Sequence, residues 1–201
     1  LNSFGNSAKL GKSNWCILES DESDGSFVKV PQTYSVITNI DKEHLDYYKS
    51  MNNLENKFIS FIEKTPSFGK AFVCIDDKNN RKVLKKVKNN NYYSYGTRKD
   101  SNFQILNIFQ NINFSKFDLK IKLPGIAKKI IKNIKVPTIG MHNIRNVAAS
   151  IAVSSSVGIS EKIIKKALLE YEGVQRRFTK IFSFNNVSFY DDYAHHPTEI
   201  K

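Results

Sequence analysis

The sequence contains little cysteine, proline and tryptophan, and it has no long apolar run. Its 201 residues include 2 Cys, 5 Pro and 1 Trp. Two cysteines are too few for the disulfide framework of a small secreted domain, and Cys16 and Cys74 both lie in short apolar runs. They are predicted to be buried thiols in a reducing compartment. No signal peptide is visible, and no stretch approaches the roughly 18 apolar residues that cross a membrane. These absences favour a cytoplasmic protein.

Acidic residues are also the minority. The chain has 19 Asp and Glu against 31 Lys and Arg, a formal net charge of +12. This excess favours anionic partners such as nucleotides, nucleic acid or acidic membrane surfaces. The lysines, however, are mixed with Asn and Ile, as in residues 85–91 and 128–132. Such runs are typical of solvated faces, so the charge alone decides nothing about function.

The length allows one sizeable core, or one domain with part of another. The chain has no initiator Met and stops where a helix is predicted to begin, so we expect an internal piece of a longer protein. Apolar runs at residues 15–19, 34–38 and 71–75 predict strands, and residues 51–64 have helical spacing. Short apolar strands that alternate with helices indicate an α/β fold, with a mostly parallel sheet flanked by helices.

The second half of the chain changes in texture. Period-two patterns between residues 92 and 136 predict a small antiparallel addition to the sheet. Helices are predicted at residues 143–157 and 161–171, and Gly173 ends the second of them. Two strands joined at Asn185 and Asn186 then indicate the first strands of a second α/β domain, with a boundary near Gly173.

The richest group of reactive side chains follows the last of these strands. Residues 189–199 run from an apolar strand into Asp191, Asp192, Tyr193, His195 and His196. Strand ends and the loops after them are where α/β enzymes place reacting groups. A polar strand-to-helix turn is the alternative, but a run of this composition favours a site.

A glycine-rich stretch at residues 5–13 is similar to a phosphate-binding loop, but it does not fit one. The spacing between its glycines is one residue too long. A strand is predicted to follow it, rather than the helix whose N-terminus would bind phosphate. We therefore do not assign it a nucleotide.

Two polar segments predict a metal site. Residues 19–24 carry four carboxylates directly after the first predicted strand, and residues 38–48 place His44 after the next one. Neighbouring ends of parallel strands would bring one carboxylate and one imidazole onto Mg²⁺, and the imidazole would also accept Mn²⁺. A solvated acidic turn and an exposed loop histidine are the alternatives.

Two further segments carry groups suited to a nucleotide. Asn143 and Asn146 lie one turn apart at the start of a predicted helix, where their amides either cap the helix or face a ligand. Arg176 and Arg177 follow the proposed domain boundary and offer guanidinium groups for bidentate phosphate contacts.

Taken together and in this order, these segments resemble the Mur ligase family, the ATP-dependent amino-acid ligases of peptidoglycan synthesis. The resemblance rests on five blocks, residues 19–27, 38–46, 140–149, 173–178 and 191–199. It implies phosphorylation of the muramoyl carboxylate of UDP-N-acetylmuramate by ATP. The amine of L-alanine would then attack the acyl phosphate.

The same resemblance implies roles for single residues, in four groups. Glu19 and His44 would hold the active-site Mg²⁺ and count as catalytic. Asn143 and Asn146 would face the adenine side of ATP. Catalytic Arg177 would contact phosphate, catalytic Asp192 would be a carboxylate of the nucleotide site, and Tyr193 and His195 would line the same cleft.

The resemblance also divides the chain. Residues 1–172 correspond to a central ATP-binding domain without its phosphate loop, and residues 173–201 to the beginning of a C-terminal domain. The UDP-binding domain and most of the C-terminal domain are not in the sequence. We therefore expect the 201-residue piece to be inactive alone, and amino-acid specificity and oligomeric state stay open.

Two rival functions remain. One lies in the same family, a murein tripeptide ligase of cell-wall recycling, which would take a tripeptide instead of free L-alanine. The other is a basic, non-catalytic nucleic-acid-binding module, which would bind oligonucleotides with a steep salt dependence. The sequence has no basic helix with groove-reading side chains, and this disfavours nucleic acid as a partner.

Overall fold

The chain divides into two units, and the first of them, Leu18–Leu169, contains a six-stranded sheet. A computed structural model describes residues 8–174 and 179–194. In the first unit the strands are β1 Tyr34–Ile37, β2 Lys70–Cys74, β3 Tyr92–Gly96, β4 Phe103–Gln110, β5 Ser115–Ile121 and β6 Lys129–Val136. The helices are α1 Leu45–Tyr48, α2 Met51–Glu63, α3 Lys78–Leu84, α4 Met141–Ser156 and α5 Glu161–Leu169.

The strands lie in the sheet in chain order, from β1 to β6. The pairs β1–β2, β2–β3 and β3–β4 are parallel, whereas β4–β5 and β5–β6 are antiparallel. This confirms the predicted α/β fold with a mostly parallel sheet and an antiparallel addition. The addition starts later than predicted, because β3 and β4 still continue the parallel part.

Strand β2, in the parallel part of the sheet, is buried on both faces. In β2, residues 71–74 are all buried, as expected for a strand covered by helices. The Phe72 ring lies 6.2 Å from Tyr34 and 6.0 Å from both Tyr93 and Phe103, centroid to centroid. By contrast, β5 alternates between buried and more exposed residues, which is the pattern of an antiparallel strand with one solvated face.

Helix α2 shows how the sequence specifies one element. The Ser50 side chain accepts a hydrogen bond from the backbone N–H of Asn53, which caps the first turn. Leu54, Phe58 and Ile62 then recur at helical spacing and are buried in the core. The predicted helix at residues 51–64 is thereby confirmed.

The predicted strand at residues 15–19 is wrong. These residues form no strand, and Trp15, Ile17 and Leu18 are exposed. The backbone N–H of Trp15 donates to Ser13 Oγ at 3.3 Å, and the six-stranded sheet begins at β1 instead. Cys16 is also exposed, which corrects its prediction as a buried thiol, whereas Cys74 in β2 is buried as predicted.

The second unit comprises the described residues that precede Leu18 and follow Leu169 in the sequence. It contains a two-stranded antiparallel hairpin, β7 Thr179–Phe184 and β8 Val187–Asp191. Asn185 and Asn186 both have positive φ, 47° and 63°, as a tight hairpin turn requires. The hairpin is therefore confirmed, while the assignment of residues 1–172 and 173–201 to two family domains stays a prediction. No helix among the described residues is long and apolar enough to span a membrane.

Candidate functional site

Three half-buried side chains converge beside the start of α1. The ligand atoms of Glu22, Glu43 and His44 all lie within 4.8 Å of one another. His44 Nε2 is 3.7 Å from Glu22 Oε1 and 3.8 Å from Glu43 Oε2. Within the described ranges, no other group of three His, Cys, Asp or Glu side chains meets this geometry. Two carboxylate oxygens and one imidazole nitrogen form a donor set that fits a divalent cation.

His44 is held in an uncommon backbone conformation. It is the N-cap of α1 and lies in the left-handed region, with φ 53° and ψ 33°. Its carbonyl accepts hydrogen bonds from the backbone N–H groups of Tyr47 and Tyr48, both at 3.0 Å. A non-glycine residue in this region is strained, and such strain is common where a side chain has to be directed at a site.

The loop that leads from β1 to His44 is anchored by two buried asparagines of α3. Asn79 Nδ2 donates to the carbonyl of Ile40 at 2.6 Å. Asn80 Nδ2 donates to the carbonyls of Thr38 and Cys74, at 3.2 Å and 2.9 Å. Because these bonds connect the ends of β1 and β2, they fix the path of the chain toward the cluster.

Glu22 comes from a turn in the acidic run. Its carbonyl accepts hydrogen bonds from the backbone N–H of Gly25, at 3.0 Å, and from the hydroxyl of Tyr48. Burial, followed by the charge of Glu22, raises the pKa of Tyr48 to about 12, so its hydroxyl stays protonated as a donor. Gly25 has φ 67°, a conformation that glycine adopts at little cost. The phenol of Tyr48 thus holds Glu22 beside α1.

The other aspartates of the run stabilise the turn itself. Asp21 Oδ1 accepts from the backbone N–H of Ser23 at 2.6 Å, and Asp24 Oδ1 accepts from that of Ser26 at 2.8 Å. Hydrogen bonds from these serines lower the pKa of both carboxyl groups. The turn therefore contributes Glu22 to the cluster and uses Asp21 and Asp24 to hold its own shape.

Glu19, the predicted metal ligand, does not belong to this group. It is exposed and lies before the turn, in the segment that was expected to be a strand. The structure therefore brings His44 together with Glu22 and Glu43 instead. All three grouped side chains come from the two segments named for a metal in the sequence analysis, and the metal site itself stays a prediction.

A second polar group lies at the ends of β2 and β3. The buried Asp76 carboxylate accepts hydrogen bonds from the backbone and hydroxyl of Thr97 and from Arg145 Nε. Arg145 lies near the start of α4, between Asn143 and Asn146. Asn143 is half-buried and donates from Nδ2 to the carbonyl of Ile139 at 2.7 Å, whereas Asn146 is exposed. Asn143 thus binds the backbone just before its own helix, and Asn146 faces outward.

The hairpin unit carries the remaining described candidates. Asp192 and Tyr193 directly follow β8 and are exposed. Asp192 Oδ1 accepts a hydrogen bond from the backbone N–H of Ala194 at 2.8 Å. Arg177 and His195 lie outside the described residues. The predicted roles of these four residues stay predictions.

The chain matches a protein-family model over about three quarters of its length. Residues 4–154 match the model of the Mur ligase middle domain. The chain belongs to the Mur ligase family. Residues 22, 43 and 44 and the first turn of α4 all fall within the matched range, whereas residues 177 and 192–195 lie beyond it.

Curated members of the Mur ligase family match the chain over its whole length. It is 61% identical over 201 residues to a UDP-N-acetylmuramate–L-alanine ligase of Pelagibacter ubique, and it spans 43% of that protein. A protein of the same name from Rickettsia bellii is 44% identical over 203 residues, and the chain spans 42% of it. The chain thus spans less than half the length of these relatives.

Solved Mur ligase structures share the fold. The chain superposes on MurF of Acinetobacter baumannii with a TM-score of 0.71 and 22% identity, over 89% of this chain and 38% of that one. For the UDP-N-acetylmuramate–alanine ligase MurC of Thermotoga maritima, the TM-score is 0.68 and the identity 26%, over 90% of this chain and 39% of that one. Both likenesses support the architecture of a Mur ligase middle domain.

Several members of these two side-chain groups were not singled out in the sequence analysis. Glu43 stands next to His44, and adjacency in an irregular loop says little about whether two side chains converge. Asp76 and Arg145 are separated by 69 positions, and no local pattern connects them. For Glu22 a usable signal existed, since Asp21, Ser23, Asp24 and Gly25 around it are residue types that favour a tight turn.

Proposed function

We propose that this chain belongs to an ATP-dependent ligase that joins L-alanine to UDP-N-acetylmuramate in the synthesis of peptidoglycan precursors. The observation that carries this proposal is the 61% identity, over every residue of the chain, to the Pelagibacter ubique protein of that name. The cluster of Glu22, Glu43 and His44 supports it, because phosphoryl transfer from ATP requires a divalent cation.

The proposed reaction has two steps. The muramoyl carboxylate attacks the γ-phosphorus of ATP, which forms an acyl phosphate and releases ADP. The amine of L-alanine then attacks the acyl carbon, the amide bond forms, and inorganic phosphate leaves with the electron pair of the broken C–O bond. Phosphorylation is needed because a free carboxylate is a poor electrophile.

Glu22, Glu43 and His44 would hold the cation, which we propose to be Mg²⁺ or Mn²⁺. When bound, the ion neutralises charge that develops on the transferred phosphoryl group. The protein's own contribution is to place two carboxylates beside one imidazole, with side chains that are about one-third exposed. This exposure leaves the site accessible to a phosphate oxygen.

The nucleotide contacts are proposed from the family resemblance. Asn143 and Asn146 would face adenine, and Arg177 would contact phosphate. Asp192, with Tyr193 and His195, would complete the nucleotide site. The exposed side chain of Asn146 at the start of a 16-residue helix supports this role, since it is available to a ligand.

The decisive experiment measures ADP release by the full-length protein with UDP-N-acetylmuramate and Mg²⁺-ATP, with and without L-alanine. A His44→Ala variant is measured in parallel. We expect ADP release to depend on L-alanine and to fall at least about 100-fold in the variant, because one of three metal ligands is lost.

The same assay distinguishes the alternatives. Turnover with a murein tripeptide, and none with L-alanine, would assign the protein to cell-wall recycling. Absence of turnover with either substrate would contradict the proposal. Salt-sensitive binding of oligonucleotides without any response to Mg²⁺-ATP would favour the nucleic-acid-binding alternative.

A further inference from the structure

The Asp76 carboxylate joins three separate elements of the first unit. Asp76 follows β2, and its side chain is only 7% exposed. Its Oδ1 accepts from the backbone N–H and the hydroxyl of Thr97, which follows β3, at 2.9 Å and 3.0 Å. Its Oδ2 accepts from Arg145 Nε, in the first turns of α4, at 2.8 Å.

The fit around this carboxylate is tight. Gly96 ends β3 with φ 140°, and a Cβ at that position would lie 2.5 Å from Asp76 Oδ1. Real Cβ contacts are not that short, so the backbone approaches the carboxylate in a way that only glycine permits. The carboxylate therefore has little freedom to reorient when a partner is lost.

Arg145 supplies the positive charge for this buried anion. Its side chain is 36% exposed, so the guanidinium bridges the interior and the surface. It lies two residues after Asn143 and one before Asn146. Because a helix is stiff over one turn, the ion pair fixes the position of both asparagines relative to the ends of β2 and β3.

We propose that Asp76 and Arg145 are positioning residues, which hold the first turn of α4 so that Asn143 and Asn146 meet the nucleotide in one geometry. In this role, Asp76 and Arg145 act through α4 and do not themselves contact the nucleotide or the reacting atoms. The inference rests on the proposed function, since it assumes that these asparagines face adenine. In this proposal, nucleotide affinity depends on an ion pair between two residues that are 69 positions apart in the sequence.

A second ion pair in the same unit provides a matched control. Lys86 Nζ lies 2.8 Å from Glu55 Oε2, and these side chains are 46% and 9% exposed. The distance and the burial of the carboxylate are close to those of Arg145 and Asp76. Glu55 lies in α2 and Lys86 follows α3, so this pair does not involve α4.

The test uses the full-length protein and four variants, Arg145→Met, Arg145→Lys, Lys86→Met and Asn146→Ala. Binding of a non-hydrolysable ATP analogue is measured by calorimetry, KM for ATP and kcat by ADP release, and folding by the thermal midpoint. We expect Arg145→Met to raise Kd and KM for the nucleotide about tenfold while kcat changes by less than about twofold. Arg145→Lys should recover most of this loss, because a single bond from Nε is replaced by one from Nζ.

Lys86→Met should lower the thermal midpoint about as much as Arg145→Met does, but it should leave nucleotide affinity unchanged. If Arg145→Met behaves in the same way as Lys86→Met, the pair is merely structural and the inference is wrong. If the wild-type protein binds no nucleotide, the proposed function fails and the inference fails with it. Loss of affinity in Asn146→Ala, without loss in Arg145→Met, would overturn only the inference.

Discussion

The choice between Glu22 and Glu19 as the metal ligand gives the sharpest prediction. We expect Glu22→Gln to weaken binding of a divalent cation and Glu19→Gln to leave it nearly unchanged. Glu22 Oε1 lies 3.7 Å from His44 Nε2, so a cation between them would contact both. Glu19 is exposed and outside this group.

The size of the effect follows from charge and exposure. Two unit charges 4 Å apart interact by about 4 kcal/mol at an effective dielectric constant of 20. Because the Glu22 side chain is 36% exposed, solvent screens part of this energy. We expect a loss of about 1.4 to 2.8 kcal/mol, which corresponds to roughly 10- to 100-fold in metal affinity.

The assay titrates the full-length protein with Mn²⁺ in the absence of nucleotide and follows free Mn²⁺ by electron paramagnetic resonance. The Mg²⁺ dependence of ADP release gives an independent curve, and thermal midpoints show whether the variants are folded. A tenfold loss in Glu19→Gln together with wild-type affinity in Glu22→Gln would refute the assignment. Equal losses in both variants would mean that charge near the site matters and direct ligation does not.

Three further outcomes test the structure. Cys16 should react rapidly with a thiol reagent and Cys74 only on unfolding, since Cys74 is buried and burial raises the pKa of its thiol. A hydrogen bond from Asn107 lowers the pKa of Asp118. The ionised Asp118 carboxylate therefore stabilises the folded state above about pH 4, and this stabilisation is lost at lower pH. The difference in unfolding free energy between wild type and Asp118→Asn, from denaturant titrations, should therefore shrink below about pH 4. Asn186→Gly should stabilise the hairpin by about 1 kcal/mol, measured in the same way, because glycine adopts φ 63° without strain.

Much of the fold could be predicted because its signals are local. The apolar run at residues 71–75 and the helical spacing at 51–64 each correspond to an element with nearly the predicted ends. The run at residues 15–19 is also rich in apolar residues, but it forms no strand, and Trp15, Ile17 and Leu18 are exposed. The composition of a segment indicates its tendency to form a strand. Whether it pairs with another strand depends on the rest of the sheet.

The site was predicted less completely than the fold. His44 was singled out because a polar loop after a strand is a local feature, and its role as a metal ligand stays a prediction. Glu19 was chosen over Glu22 because a strand was expected to end there, whereas the structure has no strand at residues 15–19 and places Glu22 beside His44. The bond between Asp76 and Arg145 depends on tertiary structure alone, so no reading of neighbouring residues reveals it.

The parallel order of the first three strands explains why these groups can act together. The segments that carry His44, Asp76 and Thr97 follow the carboxyl ends of β1, β2 and β3, and these ends lie along one edge of the sheet. Arg145 ties the first turn of α4 to that same edge through Asp76. The same edge of the sheet thus positions both His44 and the first turn of α4, which carries Asn143 and Asn146. A substitution that shifts α4 should therefore alter nucleotide affinity without altering cation affinity, and this separation distinguishes a positioning defect from general unfolding.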